Sequence, residues 1–518
     1  MSKVFGITGQ KLADTGGRIN KRYHQMLEEA NMIIRGKTVK REKLFDFMGL
    51  TISLFLIIFF MIGSLSMRSL LIIGVSLCVW TLWSLWDSLL AFGVILFVWF
   101  NVFNRASLFL ISVEGYYGRG YIALGNVLLS VFVFAYIFKH IATRHELTIG
   151  RTLSRDIILM LPYLLLSVLL PLLGILSGQA ALTYATTSLR TIQWISIAIM
   201  SYLLCKEYGH ASVLKMVFNV IALSSFIEFF YLCLQVYYAY LFPNRVAALY
   251  LDRVYIETHA REWLTIHRIT GLAVNPNSLG LLGVIFDSLF LSSILSGYKV
   301  NPLTLFFVGF SGAWLVVVSA SRTALITLIC LFVLVFIVGI LKQYIFSISS
   351  KLVYLAVLLL FVLVGLSIVS HFMPHLTQRI LSALSLSGVL SDINFVARVE
   401  TWKETLSYLE THPFGTLASP FYTIKVGVDN YWVYLLTQGS VLYMLAFILF
   451  LLAVLASGAK VIKSDVSVSR FAGYFTMLIV FTACVESMTM VAFLDSSVIF
   501  LVFALIGITA YSRNKATA

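Results

Sequence analysis

Fourteen stretches of this chain are apolar over roughly the length a helix needs to cross a bilayer. They lie at 45–63, 69–86, 88–104, 121–139, 156–176, 190–205, 213–242, 271–297, 302–319, 322–341, 351–370, 431–456, 473–493 and 495–511. A hydrocarbon layer about 30 Å thick takes about 20 helical residues. Backbone polar groups in lipid must be satisfied inside a helix or a closed barrel. Barrel strands alternate in polarity over about 10 residues, whereas these runs are continuous. The expected fold class is therefore an all-α polytopic membrane protein with about 14 transmembrane helices. Composition agrees: the 518 residues are 60% hydrophobic and 12% charged, with a mean hydropathy of +0.95. A soluble core could not hide that much apolar surface. The turns inside 69–86/88–104 and 473–493/495–511 are so short that these pairs are the hardest to divide.

A net charge of +14 raises the question of a nucleic-acid partner, but the placement of the charge gives a topological reading instead. With the N-terminus in the cytoplasm, 24 of the 37 Lys and Arg fall inside and 13 outside. That bias follows the positive-inside rule and places both termini in the cytoplasm. Residues 1–44 form a basic tail. Within it, Arg18 to Ile34 reads either as a surface amphipathic helix or as a partly disordered segment. No early apolar core marks a cleavable signal peptide. The five cysteines lie in or beside apolar runs, and none are at metal-ligand spacing; they read as small core residues, and no metal site is expected. No internal repeat is visible. The chain divides into the tail 1–44, N-terminal transmembrane helices 45–242, an outer loop 243–270, core helices 271–370, a large outer loop 371–430 that is partly helical, and C-terminal helices 431–518.

The basic residues left outside have a distinct chemistry. Eleven of the thirteen are Arg, and only Lys403 and Lys425 are Lys. A planar guanidinium fork suits paired phosphate oxygens better than a solubilising ammonium does. Anchoring at the headgroup level is the competing reading for any single one of them. Three motifs carry these residues. The first is His267-Arg268-Ile-Thr-Gly271 followed by Asn275-Pro276-Asn277 and Gly280, after a loop that also bears Arg261. Pro276 lacks an N–H, so a helix broken there would offer free N–H groups to an anion; an ordinary helix start is the alternative. The second is Ser321-Arg322-Thr323 in a very short turn, where a snorkelling arginine competes. The third runs from Arg398 through His412-Pro413-Phe-Gly415 to Asp429-Asn430. There, 396–410 reads as an amphipathic helix with Val399, Trp402, Leu406 and Leu409 in its apolar stripe, and Asp429 reads either as a functional carboxylate or as a helix N-cap. Charge counting alone puts all three motifs on one face. Glu228, Asp287 and Glu486 lie deep in apolar spans, where a polar cavity or a buried arginine partner is expected for each, the structural Glu–Arg pair ahead of any catalytic role.

These motifs resemble the core of the O-antigen polymerase and O-antigen ligase superfamily. The matching pieces are Arg268-Ile-Thr-Gly-Leu with Asn275-Pro-Asn and Gly280, Ser321-Arg-Thr-Ala, Arg398 with Trp402 and the His412-Pro-Phe-Gly turn, and Asp429-Asn430 with Gly439. They span 260–440. The resemblance implies a GT-C-like membrane glycosyltransferase of the bacterial cytoplasmic membrane. Its donor would be an undecaprenyl-diphosphate-linked oligosaccharide, with no metal or other cofactor and no nucleic acid. A chain-length regulator is a partner by family analogy. Arg268, Arg322 and Arg398 would hold the departing diphosphate. Asp429 is the first candidate for the base, ahead of Glu400 and His412. Arg261, Asn275, Asn277, Trp402, Glu400, His412 and Asn430 would contact substrate. Ligases of this superfamily carry a His before the Asn that opens the helix after the loop. Asp429 stands there instead, which points to a polymerase. A ligase and a lipid-linked oligosaccharide flippase are the alternatives.

Overall fold

The computed structural model describes residues 87–101, 107–111, 120–142, 151–180, 185–241, 270–273, 276–341, 393–417, 428–490, 492–494 and 496–517, with a few isolated positions. All of them lie in the second of two compact units, Val75–Ala518. The helices are α1 (Ser88–Phe100), α2 (Leu124–Ala142), α3 (Arg151–Leu176), α4 (Ala185–Tyr208), α5 (His210–Leu241), α6 (Pro276–Ser296), α7 (Pro302–Ser319), α8 (Arg322–Leu341), α9 (Ile393–Thr411), α10 (Tyr431–Ile462), α11 (Ser467–Glu486) and α12 (Ser496–Thr517). Eight are long and apolar enough to cross a membrane, and α1, α2 and α8 contain shorter apolar helices. These eleven correspond to eleven of the fourteen expected spans. The spans 45–63, 69–86 and 351–370 lie outside the described residues. The chain is a polytopic helical membrane protein.

One feature was not foreseen. Between α1 and α2, β1 (Ser107–Ile111) pairs antiparallel with β2 (Gly120–Ala123), with Phe109 opposite Ile122 and Ile111 opposite Gly120. Both strands are short and rich in Leu, Ile, Phe and Tyr, residues that fit a pleated ribbon.

Local chemistry sets the helix ends. Asn301 caps α7 by accepting from Leu303 N at 2.9 Å, with Pro302 in the first turn, where its missing N–H costs nothing. The α6 helix begins at Pro276 rather than at 271, for the same reason. Asn275-Pro276-Asn277 thus marks a helix start and not a break inside one. The α10 helix is interrupted: Gly439 (φ −141°, ψ 24°) and Ser440 (φ 59°, ψ −167°) are non-helical. The α11 helix ends at Glu486, short of the expected 493. Residues 487–490 and a 3-10 turn, Ala492–Leu494, fill the connection to α12.

The α6 helix is the core, with 94% of its apolar window buried. It packs on α7, α8 and α11. Gly283 and Gly312 meet where α6 and α7 cross. A Cβ on either would stand 2.6–2.7 Å from the other's carbonyl oxygen, so only small residues allow this approach. In contrast, α3 and α10 bury only 39% of theirs and present Leu159, Leu165, Leu445 and Leu449 outward, as lipid-facing helices do. Pro162 and Pro171 inside α3 are tolerated where neighbouring helices take up the freed carbonyls.

The two ends of the helix assembly differ in chemistry. At one end Arg513 Nη2 meets Asp156 Oδ1 at 3.0 Å and Arg513 Nη1 donates to Ser457 Oγ at 3.2 Å. Lys139 meets Glu207 at 3.2 Å, and Arg470 Nη2 donates to Ser296 O at 3.0 Å. Lys139, Arg470 and Arg513 all belong to the set counted as inside. The helix ends that carry Arg322, Arg398 and Asp429 lie at the opposite end.

Candidate active site

The site is built at the junction of α9, α10, α11 and the α7–α8 turn. Asn430 opens α10 and is its N-cap: Asn430 Oδ1 accepts from Trp432 N at 2.9 Å and from Val433 N at 3.2 Å. Asp429 is therefore free of the capping role. Its carboxylate instead meets Arg398, with Nε to Oδ2 at 3.3 Å. The Arg398 side chain is 30% exposed and that of Asp429 58%. The pair sits at an open surface, within reach of a large ligand.

The α9 helix supplies Arg398 from an unusual face. It packs against α10 and turns Arg398, Thr401, Trp402, Thr405 and Leu409 inward; Thr405 is fully buried. Val396 and Leu406 stand exposed. Val399, Trp402 and Leu409 of the expected stripe lie on the half-buried side, and Leu406 alone departs from it. Glu400 lies on the exposed face, away from the pair. His412 is exposed and stacks flat on Tyr408, with centroids 4.0 Å apart and planes at 4°. Its Nδ1 is 2.8 Å from Thr411 Oγ1. Packing lifts the Tyr408 phenol above its ordinary pKa through desolvation.

The loop after α9 is anchored in the break of α10. Thr416 N donates to Thr437 O at 2.7 Å and Leu417 N donates to Gln438 O at 2.9 Å. In a continuous helix those carbonyls would accept from residues four positions on. The non-helical Gly439 and Ser440 release them, and the loop takes their place. Gly415, at φ 79°, touches the Thr437 carbonyl so closely that no Cβ fits. The His412-Pro-Phe-Gly turn therefore fixes where α9 ends relative to α10. Phe414 at its tip is 80% exposed.

Arg322 begins α8 after a two-residue turn. Ala320 closes α7 in the left-handed conformation (φ 50°), Ser319 Oγ accepts from Ser321 N at 3.1 Å, and Ser321 O accepts from Leu325 N at 3.0 Å. Arg322 is half-buried and lines a small hollow with Val316, Val317, Ala320, Ser321 and Leu325. A chain of contacts connects it to Asp429: Thr323 hydrogen-bonds Thr489, Asn430 Nδ2 donates to Met488 O at 3.0 Å, and Tyr431 N donates to Ser487 O at 2.8 Å. Ala320, Leu417 and Ser440 are the three non-glycine residues at positive φ among the described residues. Each flanks this site or the loop anchored beneath it. Strained backbone of this kind costs roughly 1–3 kcal/mol and gathers at functional sites.

Asn277, half-buried, is the second residue of α6. It lies near the same turn, because a Cβ on Gly280 would stand 2.6–3.0 Å from Ala324, Ser321 and Ser319. Arg261, Arg268 and Asn275 lie outside the described residues, as do 371–392. The embedded acids do not meet arginines among the described residues. Glu486 Oε1 accepts from Thr327 Oγ1 at 3.0 Å, Glu228 accepts from a backbone amide, and Asp287 is fully buried against Gly312. Glu486 and Glu228 thus take a hydroxyl and an amide donor in place of a guanidinium, whereas neither carboxyl oxygen of Asp287 has a hydrogen-bond partner among the described residues. Sequence reasoning missed Ser487–Thr489, whose backbone and side chains hold Asn430 and Thr323. It also missed Gln235, a lone amide in an apolar helix seven residues from Glu228.

With this geometry in hand, residues 306–423 match the family model described as O-Antigen ligase. The matched stretch runs from α7 through the turn bearing Arg322 to α9 and the anchored loop. The match, over less than a quarter of the chain, is consistent with the O-antigen polymerase and ligase superfamily that the motifs resemble. No curated protein matches the chain.

Proposed function

We propose that the chain is a polysaccharide polymerase, which transfers a growing glycan from an undecaprenyl-diphosphate donor to a lipid-linked repeat unit. The reaction is placed at the outer face of the bacterial cytoplasmic membrane, with both termini inside. The observation that carries this reading is the exposed Arg398–Asp429 pair, 3.3 Å apart, at the same end of the assembly as Arg322. In the reaction the bond between the anomeric carbon and the diphosphate oxygen breaks. The acceptor hydroxyl oxygen bonds to that carbon, its proton passes to Asp429, and undecaprenyl diphosphate leaves. Arg322, Arg398 and Arg268 stabilise the charge developing on the diphosphate, which guanidinium groups do without a metal. Trp402, Asn277, Asn430, Asn275 and Arg261 contact the glycan or the diphosphate. Glu400 and His412 remain as outer contacts, and a chain-length regulator as a partner.

A ligase is the second reading, favoured by the match of residues 306–423 to the O-antigen ligase family model. It shares the donor chemistry and differs in the acceptor. Asp429, in place of the His that the resemblance leads one to expect in ligases, favours the polymerase. A flippase would need charge along a central path, whereas Arg322 and Arg398 lie together at one end. The test is complementation of a host lacking its own polymerase, reading surface glycan length on a gel, with Arg268→Ala, Arg322→Ala, Arg398→Ala and Asp429→Ala at equal membrane levels. A wild-type ladder that collapses to single repeats in the variants supports the reading. Intact ladders in all four overturn the site. Complete loss of surface repeats points to the flippase.

A further inference from the structure

Among the buried polar side chains of α5 that the mechanism above does not use are Glu228 and Gln235. Glu228 is 1% exposed and Gln235 is fully buried, on a helix whose apolar window has a mean hydropathy of 1.9. Seven residues apart, they share one helix face. Placing a carboxyl and an amide in such a helix is costly unless each finds a partner.

Both find the same partner, the backbone of the first motif. Gly271 N donates to Gln235 Oε1 at 2.8 Å, and Gln235 Nε2 donates back to Gly271 O at 3.3 Å. Leu272 N donates to Glu228 Oε1 at 2.8 Å. The side chain of Gln235 thus pairs with the peptide groups as a neighbouring strand would. Gly271 has φ 57°, and a Cβ there would collide with the Glu228 carboxyl and come within 2.8 Å of Leu279 Cδ1. The turn is closed by Ala273 N to Thr270 O at 3.0 Å. From there the chain enters α6 at Pro276, and the start of α6 packs on Ser319, Ser321 and Ala324, beside Arg322. The clamp therefore sets the height and angle at which α6 meets the arginine turn.

Resting on the glycosyl-transfer reading, we propose that Glu228 and Gln235 are positioning residues for that reaction. They hold the Thr270–Ala273 turn so that the start of α6 and the Arg322 turn keep their relative placement. Neither touches substrate. Glu228 acts as a hydrogen-bond acceptor, so its charge is dispensable and its length is not.

The test uses the full-length protein in nanodiscs, with Glu228→Ala, Glu228→Gln and Gln235→Ala. Amide hydrogen exchange at Gly271 and Leu272 reads the clamp directly, whatever the reaction. Transfer of lipid-linked repeat units reads positioning. Exchange is expected to accelerate about tenfold or more in the Ala variants and to stay near wild type in Glu228→Gln. The Ala variants are expected to lose about tenfold or more in kcat/KM, with Glu228→Gln restoring most of it. Unchanged exchange in both Ala variants overturns the clamp. Loosened amides with wild-type kcat/KM overturn the positioning role. Loss of transfer in Glu228→Gln with protected amides would assign a role to the charge and also overturn it. If the wild-type protein transfers no glycan, the polymerase reading fails, while exchange still decides the clamp.

Discussion

Replacing Arg398 separates chemistry from stability more cleanly than any other change at this site. The Arg398–Asp429 contact is 3.3 Å long between side chains that are 30% and 58% exposed. Ion pairs this open contribute only about 0.2–1 kcal/mol to stability, and salt screens them. Arg398→Ala and Asp429→Ala should each lower stability by less than about 1 kcal/mol, a small shift in Tm for a helical unit of this size. If Arg398 instead faces charge developing on a diphosphate, removing it should cost about 100- to 1000-fold in transfer rate, or roughly 2.7–4 kcal/mol. The catalytic effect would exceed the structural one several-fold. Arg398→Lys keeps the charge but not the fork, so it should fall between wild type and Arg398→Ala. The double variant Arg398→Asp with Asp429→Arg restores an ion pair and should restore no activity. The assay is transfer by purified protein in nanodiscs, with thermal unfolding measured on the same preparations. Activity regained in the charge swap, or activity lost only in proportion to Tm, would refute the reasoning and make the pair a structural tie.

Three further outcomes follow from the supporting geometry. Gly415→Ala places a Cβ against the Thr437 carbonyl at a residue with φ 79°; it should destabilise by about 1–2 kcal/mol or more and accelerate exchange at the Thr416 and Leu417 amides. Asn430→Ala removes the cap on Trp432 and Val433 and the bond to Met488 O, for a loss of about 1–2 kcal/mol, whereas Asn430→Asp should keep the cap and lose only the bond to Met488; thermal unfolding reads both. Thr327→Val takes from Glu486 the hydroxyl donor at 3.0 Å, and the carboxyl left in the core should cost about 1–3 kcal/mol, recoverable in the double variant with Glu486→Leu.

Hydropathy alone made most of the helical frame legible, because the bilayer imposes one length and one polarity on every span. Pro302 and Arg322 marked their helix starts to the residue. The ends that were misjudged are those settled by tertiary contact. Seen along the sequence, α11 runs on apolar to 493. In the fold it stops at Glu486 because Ser487 O and Met488 O are held by Tyr431 N and Asn430. The break in α10 was equally hidden: Gly439 alone is a weak signal, and Ser440 at φ 59° is stable only because the loop at 416–417 captures the released carbonyls. At the candidate site, the motifs singled out Arg322, Arg398 and Asp429, and the fold brings the last two together. Only the geometry showed that Asn430 is the cap and that Asp429 is thereby left for Arg398. On α9 only Leu406 was misread: Thr405 takes the buried position and Leu406 stands exposed, an order that a hydrophobicity pattern alone would reverse.

The most direct test of glycosyl transfer by a polymerase is to incubate the purified protein in nanodiscs with undecaprenyl-diphosphate-linked repeat units and a chelator. Lipid-linked glycan length and released undecaprenyl diphosphate would be followed together. Polymerisation predicts a growing ladder on the lipid, with one undecaprenyl diphosphate released for each repeat joined and both signals lost in Arg398→Ala. Unchanged single repeats with no release, from protein that is folded and bound to the substrate, would contradict it.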